Sequence, residues 1–488
     1  MVAVVAATSM SATPARAATA PAKPYDFDGN GYPDLAIGAP DLRVNAVRRA
    51  GGVIVLPSSA KGPSRREKVI TQSSRGVPGG SERGDQFGFA VASADFDRDG
   101  FADLAVGQPG EMVGAAAAAG SVTVIYGSRK GLNTTRSVAI TQPGGPREES
   151  AWGSSLAALD VDVDGYPDLA VGAPWTTNNS AGLGGTVGVL PGGARGLSSK
   201  ALTVISGQPE SEPDDYGDAD KLFGAGLATG DLDGDRDVDL VIMSEGASYE
   251  GDGHAGSVTA CLVQVGRSPG CRRLLHDELH EGFTSVAVGN MSGDALPEIV
   301  VGSVFWDDDG RNDGAVTILR LETAGDLGVA ALTELGEDSR GIPGTADTGD
   351  GFGERVALSD IDRDGYADLV VGAPGENNER GRVTVIHGAR SGWRTSGNYT
   401  LSQSTKGIPG SAERGDVFGS SLMLLDYNRD GRVDLTIGAP GENRGSGVVT
   451  TLPGSGKRFS TSRSHTFGLS RLGYRHRAGA AFGTSPGR

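Results

Sequence analysis

Cysteine is almost absent from this sequence, with two residues, Cys261 and Cys271, in a chain of 488. That excludes a disulfide framework and any cysteine-rich zinc module. The pair flanks a Val-Gly-Arg-Ser-Pro-Gly turn, and in an oxidising compartment it is expected to bridge adjacent strands of one hairpin. The six histidines are scattered without zinc-ligand spacing. No Gly-x-Ser-x-Gly elbow or phosphate-binding glycine loop stands between a strand and a helix. Apolar runs are short, none approaching the ~18 residues of a membrane-spanning helix, and they do not recur with a helical period. Basic residues are outnumbered 44 to 61, for a net charge of −17. Of the 61 acidic residues, 25 fall in seven nine-residue phrases, so the acidity belongs to discrete loops. Neither nucleic acid nor a membrane surface is indicated as a partner.

What the chain has in excess is glycine, 79 residues, more than twice the usual ~7 %. Many turns joining short Val-, Ile- and Leu-rich runs give an all-β composition. The seven acidic phrases return about every 60 to 70 residues: DFDGNGYPD from Asp26, DFDRDGFAD from Asp95, DVDVDGYPD from Asp160, DLDGDRDVD from Asp231, NMSGDALPE from Asn290, DIDRDGYAD from Asp360 and DYNRDGRVD from Asp426. A period of this length running end to end indicates one repeat array in place of separate domains. In the second repeat four strands are expected, over residues 87–94, 103–108, 121–126 and 137–142, with the acidic phrase joining the first two. One four-stranded unit exposes both faces, and repetition around an axis buries them, which is the logic of a propeller blade.

Around each phrase stand Phe-Gly (Phe87-Gly88, Phe223-Gly224, Phe352-Gly353, Phe418-Gly419, with Trp152-Gly153 as a variant) and Gly-Ala-Pro (Gly38–Pro40, Gly172–Pro174, Gly372–Pro374, Gly438–Pro440, with Gly107-Gln108-Pro109). This pattern resembles the FG-GAP repeat of the seven-bladed β-propeller in integrin α subunits. The resemblance implies an all-β, seven-bladed propeller of four-stranded blades over residues 18–488, expected to be a monomer. Phe482-Gly483 stands where an eighth repeat would begin. Residues 478–488 are therefore expected to give the innermost strand of the first blade, so that N- and C-terminal segments share it and no open edge remains.

Positions 1, 3, 5 and 9 of each phrase supply carboxylate or amide oxygens and position 7 a backbone carbonyl, a set of hard ligands suited to calcium. The ligand sets are Asp26, Asp28, Asn30, Asp34 with Tyr32; Asp95, Asp97, Asp99, Asp103 with Phe101; and Asp160, Asp162, Asp164, Asp168 with Tyr166. They continue as Asp231, Asp233, Asp235, Asp239 with Asp237; Asp360, Asp362, Asp364, Asp368 with Tyr366; and Asp426, Asn428, Asp430, Asp434 with Arg432. Up to six structural calcium ions follow. An EF-hand is excluded, because a strand follows position 9 directly and no Glu closes the loop at position 12. Arg236 replaces the turn glycine of the fourth phrase and predicts strain there. The fifth, with Asn290, Ser292, Asp294, Glu298 and Ala295 at the glycine position, is expected to hold no metal.

In the family, recognition uses the face opposite the acidic loops. The loops after Gly-Ala-Pro are alike in most repeats but diverge in the third, fourth and fifth, where Trp175, Tyr249 and Trp306 stand as candidate ligand-binding aromatics. Arg83-Gly84-Asp85 and Arg414-Gly415-Asp416 belong to a repeated phrase and are incidental. Asn133, Asn290 and Asn398 open glycosylation sequons, meaningful only in a eukaryotic secretory route. At the N-terminus an apolar stretch precedes Ala15-Arg16-Ala17, the small-x-small form of a signal-peptidase site. A signal peptide over residues 1–17 and secretion are expected, although the basic n-region is missing. The leading reading is a secreted or surface adhesion or ligand-binding module for an extracellular protein or glycan, with no catalytic residues. Its alternative is a lectin or a polysaccharide-active enzyme, a calcium-dependent lyase or hydrolase, with His254 and Arg311 as candidates for the chemistry.

Overall fold

The computed structural model describes residues 21–179, 182–207, 222–245, 255–263, 269–304, 313–322, 327–469 and 479–486. They form seven four-stranded antiparallel sheets. Six are built from consecutive strands, as in blade 2, with Val91–Ala94, Asp103–Gln108, Ser121–Ile125 and Val138–Thr141 paired in that order. The innermost strand starts four residues later than position 87, because Phe87-Gly88 forms a tight turn whose glycine has φ +89°. In blade 1 the innermost strand is Ser485–Pro486, pairing Ile37 with Pro486 and Gly38 with Ser485. Innermost strands of successive blades pack on one another from blade 2 round to this C-terminal strand, so the sheets close into a seven-bladed propeller.

Burial follows distance from the axis. Every described second strand is buried throughout, as in Asp168–Ala173 and Asp434–Ala439, because sheets cover both of its faces. This explains why these strands read as continuous apolar runs without alternation. Outermost strands such as Val138–Thr141 and Val329–Leu335 are largely exposed. The aromatic rings of Phe87, Trp152, Phe223, Phe283, Phe352, Phe418 and Phe482 are fully buried. Each burial contributes about 1.5–3 kcal/mol, and Phe482 joins Leu35, Ile54, Tyr427 and Phe467 in the cluster that seals blade 1 to blade 7.

Cys261 and Cys271 form a disulfide across the third and fourth strands of blade 4, where they stand directly opposite in register. Among the described residues no helix is long and apolar enough to cross a membrane.

Candidate metal centres and the opposite face

The acidic phrases join first to second strands and therefore line one face of the propeller. Each intact loop folds around its own backbone. The position-1 carboxylate accepts the N–H of position 6: Gly31 to Asp26 at 2.8 Å, Gly100 to Asp95 at 3.0 Å, Gly165 to Asp160 at 2.8 Å, Arg236 to Asp231 at 3.0 Å, Gly365 to Asp360 at 3.0 Å and Gly431 to Asp426 at 2.9 Å. Positions 3 and 5 accept the N–H two residues on, as in Asp28 from Asn30 at 3.0 Å and Asp99 from Phe101 at 3.1 Å. These Asx turns point successive side chains inward. Position 6 requires a left-handed backbone, with φ from +80° to +92° in the glycine loops, and Arg236 is held at φ +81° in the fourth. Strain at that residue accords with the sequence reading.

Position 9 has a different part. Both oxygens of Asp168 are taken by backbone, one by Val161 N–H and one by Gly192 N–H, each at 2.8 Å. The same bracket recurs at Asp103, Asp239 and Asp434. This carboxylate ties the loop to the end of the third strand while lying against the other acids. Burial pushes Asp34 and Asp434 up to about 7 and Asp168 and Asp239 up to about 6, with the neighbouring carboxylates adding to the shift and the donated N–H groups opposing it. Crowded, half-dry carboxylates are costly when ionised without a cation.

The oxygens converge. Asp95, Asp97 and Asp99 bring ligand atoms within 4.8 Å of one another, as do Asp160, Asp162 and Asp168; Asp231, Asp233 and Asp239; and Asp360, Asp362 and Asp368. In loops 1 and 7 amides, Asn30 and Asn428, replace one carboxylate. Asp26 Oδ1 and Asp362 Oδ1 are buried without a hydrogen-bond partner. An orphaned carboxylate oxygen inside such a cluster fits a hard divalent cation.

The fifth phrase is built otherwise. Asn290 spends its amide on the loop itself, accepting from Gly293 N–H and donating to the Asp294 carbonyl at 2.7 Å. Arg320 lies on the Asp294 carboxylate at 2.8 Å. Guanidinium groups also enter two intact loops: Arg136 contacts Asp97 and Asp99, and Arg394 contacts Asp362 and Asp364. Sequence reading missed these cations because they stand some 30 to 40 residues from their partners.

A second ring of contacts links neighbouring loops. The position-7 aromatic ring of one blade lies over position 4 of the blade before: Tyr166 under the Arg98 guanidinium at 5.6 Å and Tyr32 under that of Arg429 at 5.9 Å. Phe101 and Tyr366 similarly pack against Gly29 and Gly293. The position-7 side chain thus reaches the loop of the blade before.

On the opposite face the Gly-Ala-Pro turns of blades 6 and 7 have matching shape, with left-handed Asn377, Asn378, Asn443 and Arg444. Trp175 in blade 3 is 42 % exposed. Tyr249, Trp306, His254 and Arg311 lie outside the described residues, as do residues 1–17. Asp85 and Asp416 are 2 % and 3 % exposed and accept the N–H groups of Glu82 and Glu413, so neither Arg-Gly-Asp sequence presents its carboxylate. Asn398 donates its amide to the carbonyls of Gly341 and Arg394 at 2.9 and 2.8 Å, and a glycan on that nitrogen would replace one of the two donated hydrogens. At the axis this face opens on a cavity of about 350 Å³ lined in part by Phe89, Met243, Glu245, Thr284, Glu354 and Arg355.

A profile described as FG-GAP repeat matches residues 19–56, 87–125, 152–190, 352–386 and 418–452. The chain carries FG-GAP repeats. The matches fall on blades 1, 2, 3, 6 and 7 of the propeller. In sequence the chain is similar to phosphatidylinositol-glycan-specific phospholipase D of Bos taurus, 37 % identical over 164 residues, which are 33 % of this chain and 18 % of the relative. It is similar also to integrin alpha-PS5 of Drosophila melanogaster, 35 % identical over 170 residues, 34 % of this chain and 16 % of the relative. The FG-GAP chain therefore aligns with less than a fifth of the length of either. Among solved structures, the V. cholerae biofilm matrix protein Bap1 aligns over 89 % of this chain and 65 % of its own at 11 % identity and a TM-score of 0.30, too loose a likeness to bear on function.

Proposed function

We propose that this FG-GAP propeller is a secreted, calcium-stabilised binding module that grips an extracellular protein or glycan on the face opposite its acidic loops. The observation that carries this reading is where the repeat breaks down. Blades 4 and 5 lose the Gly-Ala-Pro and Phe-Gly glycines at Met243 and Thr284, and Glu245, Glu354 and Arg355 bring charge to the same axial cavity. In blade 3 the turn after Gly-Ala-Pro adds an exposed aromatic, Trp175. Residues maintained for the fold alone would follow the repeat, and these depart from it together. Calcium would be held by the six intact loops, with carboxylate or amide oxygens at positions 1, 3, 5 and 9 and the position-7 carbonyl as ligands. The ion would supply charge compensation and no reaction step. The signal-peptide reading of residues 1–17 supports export.

Matrix-protein and glycan arrays probed in calcium test this. Binding is expected to be lost in Trp175→Ala at unchanged melting temperature; full binding by that variant, or an empty array, would sink the reading. A hydrolase or lyase reading draws on the phospholipase relative, of which 18 % is aligned, and on acidic-glycan chemistry. Release of β-elimination products from pectic glycans would establish the lyase form of it instead.

A further inference from the structure

Where blade 5 hands over to blade 6, three carboxylates meet far from the acidic loops, on the Gly-Ala-Pro face. Glu337 follows the strand Val329–Leu335, Asp350 precedes Phe352, and Glu376 follows the strand Asp368–Ala373. Ligand oxygens of the three lie within 4.8 Å of one another, and the residues are 2 %, 4 % and 4 % exposed.

The equivalent junctions in the same chain are built differently. Gln72 donates its amide to Glu111 at 2.6 Å, and Gln403 donates to Glu442 at 2.5 Å. Glu337 stands where those glutamines stand, so a donor has been exchanged for an acceptor. Arg382 offsets part of the excess, with its nitrogens 3.1 Å from Glu337 Oε1 and 2.6 Å from Glu376 Oε1. Asn377 adds its amide to Glu376 Oε1 at 2.8 Å, and Asp350 accepts Asp347 N–H at 3.0 Å. The second oxygens, Glu337 Oε2 and Glu376 Oε2, are buried without any hydrogen-bond partner. Three carboxylates against one guanidinium leave two negative charges where water hardly reaches, and buried charge persists only when paired or bound to metal.

We propose that this junction is a binding site for one hard divalent cation of the calcium class, held by Glu337 Oε2, Glu376 Oε2 and a carboxylate oxygen of Asp350, with Arg382 bracing the outer oxygens. Two uncompensated charges match a single divalent ion, and three carboxylates are the hard-oxygen set that calcium and manganese take. The site needs none of the acidic loops and would tie the outer strand of blade 5 to the recognition-face turn of blade 6.

Glu337→Gln recreates the Gln72–Glu111 arrangement at constant volume and should fold. Calcium titration of the full chain is expected to give one ion fewer for this variant than for the natural sequence, whatever number the loops bind; failure of the loop sites lowers both counts alike. In crystals soaked in manganese, anomalous density is expected between the three carboxylates and is expected to vanish in Glu337→Gln. Equal stoichiometries with no density at the junction would overturn the site. So would a melting temperature indifferent to cation binding here but falling as pH rises through about 8, where burial beside Glu376 has pushed Glu337, because shared protons would then hold the carboxylates together.

Discussion

A β-carbon placed on Gly107 would stand 2.0 Å from the carbonyl oxygen of Gly153 in the next blade. Gly107 is the glycine of Gly-x-Pro in blade 2 and Gly153 that of Trp-Gly in blade 3. The same meeting recurs at Gly172 and Gly224, Gly302 and Gly353, Gly372 and Gly419, and Gly438 and Gly483, at 1.8 to 2.3 Å. The two halves of the repeat signature are thus one contact, made between blades. At the junction of blades 4 and 5 both glycines are gone together, replaced by Met243 and Thr284.

Gly107→Ala should accordingly destabilise the propeller by about 2–3 kcal/mol or more, since backbone cannot yield as a side chain can. Chemical denaturation measures this, and Thr284→Gly should change stability by less than about 1 kcal/mol. Comparable losses at both positions would refute the paired-glycine account.

The loop carboxylates set a pH dependence that calcium should invert. Asp34, Asp168, Asp239 and Asp434 are pushed up from 3.8 to between about 6 and about 7, so in the folded chain they retain protons that the unfolded chain releases. Their contribution is complete below about 3.8 and is lost as pH rises through the folded values. In chelator the melting temperature should fall between about pH 4 and 7. Saturating calcium, which requires the ionised form, should abolish that fall and add about 1.4 kcal/mol per site at ten times the dissociation constant. A melting temperature that calcium leaves unchanged at pH 7 would rule out the structural role.

Positions 5 and 9 of one loop should separate by mechanism. Asp168→Ala strands two backbone N–H groups and should cost about 2–5 kcal/mol with or without calcium. Asp164→Asn, at an exposed position, should cost about 1 kcal/mol and only when calcium is present. Differential scanning calorimetry in calcium and in chelator makes the comparison.

Arg394 competes with a cation for Asp362 and Asp364. Its replacement by Ala should tighten calcium at loop 6 by about tenfold, roughly 1.4 kcal/mol, as read by isothermal titration. Weaker calcium binding would mean that the guanidinium holds the ligands in place instead.

Much of the architecture is legible in the chain because each blade repeats the same solution, so Phe87, Gly107 and Asp95 can be read against their counterparts. Even Phe482-Gly483, an orphaned start of a repeat, announces the closing strand. What escapes is any contact whose partners lie far apart in the chain. Arg136 reaching Asp97 is one such case, and Tyr166 reaching Arg98 is another. Glu337 is a third: against Gln72 and Gln403 it looks conservative, and only the oxygen atoms around it show that a donor has been lost. The innermost strand of blade 2 begins at Val91, later than its apolar text, since Phe87 sits in a turn bridged to Gly51 of blade 1, whereas those of blades 4 and 5 begin at Phe223 and Phe283.

The pairing of residues 485–486 with residues 37–38 also fixes the order of assembly. Blades 2 to 7 can form as they emerge from the ribosome, but blade 1 keeps an unpaired inner edge until residue 486 has been made. The entropy of bringing such distant segments together grows only as the logarithm of their separation, so the finished ring is not penalised for waiting. An interrupted chain, by contrast, carries a bare strand edge able to pair with another chain, which makes truncation products of this protein prone to aggregate and easy for proteases to recognise.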